Sequence, residues 1–477
     1  MKFRSISVAL WLLYIAAFPR NDARGDRHEA FLVKKEERIP EIKTEYGEIT
    51  KVDVPIGNKG PCHLQFFTLE QNSLLLPVLL HADMLLYVQT GIGELSWTDD
   101  GRKSHTVSVR IGDVLRLRAG AVFYLRNSLN DDREKLRTIA VFSHSEGDVE
   151  AYSSLRDFVM GFSPKILRSS FKIREDVLEE IITAKKPPGI VDGGEATKGG
   201  RSNSKKRKMK VYNMLEAKRS FENEGGWSLA VDKGEMKALE GSDYGVFMVN
   251  LSGGWMMGPH WNPAGSEIAV VVSGEGMVEV GNEKRLFRVR EGDVFAVGRF
   301  QAMAQMAFDN ESFVFMGFST EAKKYHPQFL VGRRSVLREL GEEIVGRSFN
   351  VSETGVVERL LNSQSREIIL ECDSCAEDEE KALEEEERKR EEEERKSREE
   401  EDRRRRQEEE KRRRQEEEKR RRQEEEMRRR QEEAREKKQE EERRRRKAEE
   451  KAREEEEKKK REEEARKKQE EEERERR

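Results

Sequence analysis

The sequence predicts a mainly β protein: two antiparallel β-barrels, each followed by α-helical arms, and a long, highly charged α-helix at the C-terminal end. Three observations predict it. One barrel-like unit occurs twice: Gly91-Ile-Gly93 matches Gly274-Glu-Gly276, and Gly112-Asp-Val114 matches Gly292-Asp-Val294, at offsets of 183 and 180 residues. Within each copy, short apolar runs alternate with Gly and Asp turns, as in Leu64 to Phe142, which is the pattern of antiparallel barrel strands. Finally, the charge is concentrated at one end. Residues 376–477 hold about 45 acidic and 42 basic side chains, nearly half of the 93 Lys and Arg and 97 Asp and Glu in the whole chain.

The first barrel and its arm are expected over 38–184. Helical spacing begins at Ser163 and runs to Ile182, with Ile166, Leu167, Phe171, Val177, Leu178 and Ile181 apolar. A Pro/Gly/Ser/Lys linker, read as disordered, is expected over 185–210; its KKRKMK run in a secreted chain reads as a solvated loop and not as a nucleic-acid patch. The second barrel and arm are expected over 211–371, with arm helices from Pro327 to Asn362. The tail, 376–477, repeats RRRQEEEK-like units with Gln407, Gln415, Gln423, Gln431 and Gln439 eight residues apart. Glu408, Glu409 and Glu410 stand four residues before Arg412, Arg413 and Arg414, the better orientation for helical ion pairs. With almost no apolar residues, it lacks an a/d seam for a coiled coil. A single helix of roughly 150 Å at 1.5 Å per residue is expected.

The N-terminal end reads as a secretory signal over 1–23. Lys2 and Arg4 precede an apolar run from Ile6 to Phe18, too short to cross a bilayer, and polar residues resume at Arg20. No later stretch is long and apolar enough to span, so no membrane partner is expected after cleavage. A net charge of −4 gives no field that would select nucleic acid. Secretory entry gives meaning to three sequons, at Asn250, Asn310 and Asn350, with Asn310 and Asn350 in turn-like settings and Asn250 at the end of an apolar strand. Cys62, Cys372 and Cys375 are odd in number, so at least one thiol stays free or pairs between chains. The Cys372-Asp-Ser-Cys375 motif is expected after the last arm helix and not at the start of one.

Gly254 to Gly274 reads GWMMGPHWNPAGSEIAVVVSG and fits the first metal-binding signature of cupin barrels at Gly254, His260, Glu267 and Gly274. The second histidine position is Asn262. In the following signature Gly292 is in place, but Gly298, Phe300, Met303 and Ala307 occupy the Pro, Gly, His and Asn positions. A metal cupin converges imidazoles and a carboxylate on one ion. Here the set is degenerate: His260, Asn262, Glu267 and Met303. In the first copy, Gly112 to Asn127 fits the second signature with Phe123 at the histidine, and Val78, Leu80 and Met84 stand where the other ligands belong. Neither barrel is expected to hold a metal or cofactor, and no catalytic residue is assigned.

Ser73 to Leu95, Gly258 to Gly276 and His326 to Leu361 together resemble the 7S globulins, the vicilin-like seed storage proteins of plants. The resemblance covers about Arg38 to Glu371; the Glu/Arg tail departs from ordinary storage vicilins. It implies jelly-roll bicupin protomers joined as homotrimers through their helical arms, with nutrient reservoir activity and no catalysis. It also implies deposition in a protein storage vacuole through the secretory pathway, with the extracellular space as the alternative destination. Two alternatives belong to other classes. One is a secretory ligand-binding or structural cupin, using a pocket lined by Val78, Leu80 and Phe123 or by His260, Asn262, Glu267 and Met303, or using the tail, whose partners the sequence does not name. The other is a metal-dependent cupin enzyme, which needs ligands this chain has lost.

Overall fold

The computed structural model describes residues 30–56, 60–98, 103–127, 134–143, 150–194, 211–281, 285–308, 311–322, 327–351, 353, 355–372 and 375–475. The expected signal segment, residues 195–210 of the linker and Asn310 lie outside them. The described chain divides into two compact units at Leu383/Glu384.

The first unit holds four sheets, two for each repeat, and every strand pairing between them is antiparallel. In the first repeat, one sheet is ordered Tyr152–Ser154, Ser73–Leu80, Val122–Asn127, Ile92–Thr98, Ser104–Arg110. Its partner sheet runs from Asp113–Leu117 through Met84–Thr90, Leu136–Phe142 and Cys62–Leu69 to Gly47–Val54 and Ile39–Thr44. The second repeat builds the same pair from Arg285–Arg290, Glu275–Val280, Met303–Ala307 and Trp255–Trp261, and from Val294–Val297, Glu267–Ser273, Phe313–Ser319, Gly245–Leu251 and Gly226–Val231. Burial alternates where a strand has one wet face, as in Ser104–Arg110, and is almost continuous where both faces are covered, as in Glu267–Ser273. The repeated glycines mark the same sharp turn. Gly91 and Gly274 sit at φ +80° and +74°, and a Cβ there would meet the carbonyl oxygens of Lys135 and Ser312 at 2.7 and 1.8 Å.

Each repeat also receives a strand from the other. Phe31–Val33 pairs with Val294–Val297 of the second repeat, and Tyr212–Asn213 pairs with Asp113–Leu117 of the first. The contacts are matched. The buried Asp293 carboxylate accepts from the Lys35 backbone N–H at 3.0 Å and from Lys34 Nζ at 3.1 Å, while Asp113 accepts from Asn213 Nδ2 at 2.8 Å. Both aspartates also accept from a turn N–H, that of Arg290 or Arg110. A single apolar core then runs between the repeats, joining Leu64, Tyr87 and Val141 to Val246, Val270 and Phe318.

The first arm consists of helices Leu155–Met160, Pro164–Phe171 and Glu175–Thr183; the Ser154 and Ser163 hydroxyls accept from the Asp157 and Ile166 N–H groups at the first two N-termini. The second arm has Val336–Leu340, Glu342–Ser348 and Val356–Asn362. It begins later than the sequence suggests, because Gln328–Phe329 is taken up as an edge strand beside His260 and Trp261. The stretch read as linker from Lys185 also starts with ordered chain. Ile190–Asp192 pairs with Ser73–Leu80, and Ile190 is fully buried in the first core, so two apolar residues after Pro187-Pro188 suffice to make a strand.

Helix Cys375–Glu475 is 101 residues long, so the CxxC motif does open a helix, contrary to the sequence expectation. Its first two turns belong to the first unit: Ala376 and Leu383, seven residues apart on one face, are buried against Met277, Met306 and Phe308. Beyond them every described side chain is exposed. The Glu410–Arg414, Glu418–Arg422 and Glu426–Arg430 pairs recur every eight residues at 2.7 Å, following the repeat in the sequence. Among the described residues no helix is long and apolar enough to cross a membrane.

Candidate functional site

The degenerate ligand set lies in the second barrel: His260, Glu267 and Met303 are on strands Trp255–Trp261, Glu267–Ser273 and Met303–Ala307, and Asn262 directly follows the first of them. His260 is paired with Met303 on one side and Phe329 on the other, and its ring lies 5.1 Å from the Phe329 ring. Its Nδ1–H donates to the Gly258 carbonyl at 2.8 Å. Burial lowers its pKa from 6.5 to about 4, with the Gly258 hydrogen bond acting in the opposite direction. The imidazole is therefore neutral at ordinary pH, and Nε2 is left as a lone-pair acceptor.

Asn262 is spent on its own loop. Its Oδ1 accepts from the Ala264 and Gly265 N–H groups at 2.8 and 3.2 Å, and its Nδ2 donates to Glu267 Oε1 at 3.0 Å. Met303 packs with Ala30, Val280 and Val297 in a separate small core. Of the four positions, only His260 and Glu267 line a cavity. That cavity, of about 380 Å³, is walled by Phe221, Phe247, Val249, Met257, Phe315 and Ile368, and Gln328 and Arg334 stand at its exposed end. Among the described residues, no three His, Cys, Asp or Glu side chains are grouped so as to hold a metal ion.

The first barrel is built differently at the same place. Phe123 pairs with Val78 as Met303 pairs with His260, so the strand register puts the two sites in correspondence. Val78, Leu80, Met84 and Phe123 are all buried together in one core with Leu95 and Leu125. Those side chains are used for packing in that core.

A cupin family profile matches residues 33–178 and 212–356, one match on each repeat. A vicilin-like seed storage protein of Arabidopsis thaliana is 39% identical over 398 residues, covering 73% of this chain and 76% of that protein. The chain belongs to the vicilin-like cupins. A second Arabidopsis vicilin-like seed storage protein is 42% identical over 433 residues, covering 79% of this chain; the chain spans 60% of that relative's length. The crystal structure of hazelnut (Corylus avellana) vicilin superposes with a TM-score of 0.63 at 22% identity, covering 72% of this chain and 99% of the hazelnut chain.

Among the cavity residues of this vicilin-like chain that the motif reading passed over is one buried amide. Gln305 lies two residues after Met303 on the same strand, is 1% exposed and lines the cavity. The signal was there: a lone amide in the apolar strand MAQMA, in phase with an inward position. Of the sequons, Asn350 is exposed at the end of helix Glu342–Ser348 with φ +55°, while Asn250 is half-buried in the ladder opposite Val314. Cys62 is a buried free thiol and Cys372 is disulfide-bonded.

Proposed function

We propose that this chain is a non-catalytic storage protein with nutrient reservoir activity, delivered through the secretory pathway to a storage vacuole. The observation that carries the reading is the 39% identity to a vicilin-like seed storage protein across both repeats. The chemistry of the ligand positions agrees with it. His260 and Glu267 are two donors where the metal signature uses four, the Asn262 amide is engaged at both ends, and Met303 belongs to a core. The domains are a signal at 1–23, barrel-and-arm units at 38–184 and 211–371, a basic linker up to residue 210, and the tail. Of the two described sequon asparagines, Asn350 is the more exposed to a glycosyl transferase and Asn250 the less.

Assembly through the arms, as a trimer, is part of this reading. The arms leave Phe158, Phe162, Ile166 and Phe171 on one repeat, and Leu340, Ile344, Phe349 and Leu360 on the other, each half-exposed or more. Apolar surface of that extent on two matched helical segments calls for a partner.

Two measurements test the proposal. Abundance in seed is expected to rise through maturation and fall on germination; a constant level through germination would sink the reservoir role. Metal content of the purified protein is expected to be a trace. Close to one equivalent of copper, zinc or manganese per chain, lost on His260→Ala, would reopen metal chemistry.

A further inference from the structure

Storage leaves the tail unexplained. From residue 388 to 442 its charges come mostly in blocks of two to four like side chains, and the blocks alternate in sign along one helix. A block of that size wraps roughly one turn, so the helix is belted, and each belt shows one sign on nearly every side. All the side chains in this stretch are exposed. Only part of the charge is used within the chain. Glu410–Arg414 and Glu418–Arg422 pair at 2.7 Å, and Arg412–Glu416 and Arg420–Glu424 at 4.0 and 3.4 Å. Among the described residues, Glu409, Arg413, Glu417 and Arg421 have no ion-pair partner within 4.0 Å. They stand four residues apart and so run along one flank of the helix, drifting about 40° per step.

The order of these charges is a palindrome with the sign reversed. Counting outward from Gln415, Arg413 answers Glu417 and Glu409 answers Arg421. Of the 27 position pairs out to residues 388 and 442, 18 are of opposite charge and 3 of like charge, so a second copy laid antiparallel, Gln415 beside Gln415, meets the opposite sign along most of its length. We propose that the tail is a self-association element: two copies of this chain pair tail to tail, antiparallel about Gln415, with Arg413 and Arg421 of each set against Glu417 and Glu409 of the other. The near balance of about 45 acidic and 42 basic residues over 376–477 leaves little net repulsion to overcome. A partner of one sign would satisfy only half of the belts. A parallel pair shifted by four residues also sets unlike belts together, but it aligns the helix dipoles and is open-ended; the antiparallel pair opposes the dipoles and closes on itself. The pairing is independent of the storage role and of assembly through the arms.

Pulsed dipolar electron paramagnetic resonance on the full chain tests this, with a nitroxide on a cysteine introduced at Gln407, Gln415, Gln423 or Gln431 in turn and the unsubstituted chain as the labelling control. In about 0.01 M salt, where screening is weak, the label-to-label distance is expected to be shortest at Gln415 and equal at Gln407 and Gln423. It is expected to be longest at Gln431, whose two copies lie about 48 Å apart along the axis at 1.5 Å per residue. One distance at all four sites would mean a parallel pair, a steady increase from Gln407 to Gln431 would mean tails splayed from a common base, and no defined distance would mean unpaired tails; each overturns the proposal. Arg413→Glu with Arg421→Glu sets like charges against each other at four points of the pair. This variant is expected to raise the concentration for half-pairing at least about tenfold. Mixing it with a chain carrying Glu409→Arg and Glu417→Arg puts opposite charges back at all four points and is expected to restore pairing. Unchanged pairing of the first variant alone, or no recovery in the mixture, would overturn the assignment.

Discussion

Phe300 occupies a position that the backbone reserves for glycine. Its φ is +68°, matching +85° at Gly120, the equivalent turn of the first repeat. A left-handed conformation costs an ordinary residue about 1–2 kcal/mol, and the Phe300 ring is mostly exposed, with only the Arg299 guanidinium 4.5 Å from its centroid in compensation. Phe300→Gly is therefore expected to stabilise the fold by roughly 0.5–1 kcal/mol after the added flexibility of the unfolded chain is subtracted, read as a higher denaturant midpoint. His260 gives a second residue-scale prediction. Its pKa is about 4 folded against 6.5 for an ordinary histidine, so between those values the unfolded chain takes up a proton that the folded chain refuses. Stability must then rise with pH through that window and be lowest below it, by about 3 kcal/mol for a shift of this size. His260→Gln is expected to flatten this part of the stability-pH curve; an unchanged slope would mean that the ring is not held neutral. The sequence made His260, Glu267 and the loss at Asn262 and Met303 legible, because ligand spacing is a matter of counting. It did not reveal that Asn262 and Met303 turn away from the cavity, or that Gln305 enters it, since those depend on packing across strands far apart in the chain.

The tail helix and the repeat strands show opposite ways of stabilising an element. The strands are fixed by burial, and their register follows from glycine turns that the sequence repeats almost unchanged. The tail is fixed by local ion pairs, each worth about 0.2–0.5 kcal/mol, on a helix whose only described buried anchors are Ala376 and Leu383. Exposed pairs are screened when the Debye length falls to about 3 Å at 1 M salt. Far-UV circular dichroism of the full chain is expected to lose helical signal in strong salt while near-UV bands from the barrels hold steady. A salt-independent signal would assign the tail's stability to intrinsic propensity alone. Its helical character was readable because every term is local, within four residues. The short edge strands Gln328–Phe329 and Ile190–Asp192 were not readable, because they exist only by pairing with His260, Trp261 and Ser73–Leu80.

At the scale of the whole molecule, the two repeats share one apolar core, and their arms carry exposed apolar side chains at matching places. Phe171→Asp and Ile344→Asp, one on each arm, are expected to lower the oligomeric mass measured by sedimentation without moving the far-UV spectrum. Both residues are exposed in the single chain, so loss of folding is not the expected route. Retention of the full assembly in the double variant would direct the search to another surface. The bicupin architecture was legible from the repeat and the turns. The strand traded in each direction was not, since Phe31–Val33 lies ahead of the first recognisable motif and Tyr212–Asn213 is only two residues long.

That reciprocal trade makes the halves behave as a clasp. A protease cutting once between Gly194 and Val211 would leave an N-terminal fragment whose Phe31–Val33 is still threaded into the other half's sheet, and a C-terminal fragment whose Tyr212–Asn213 is still threaded into the first. The nicked protein would run as two bands under denaturing conditions yet remain one particle in native buffer. Dismantling the particle then needs a second event that unlaces an edge strand, so a single cut would not by itself release either half.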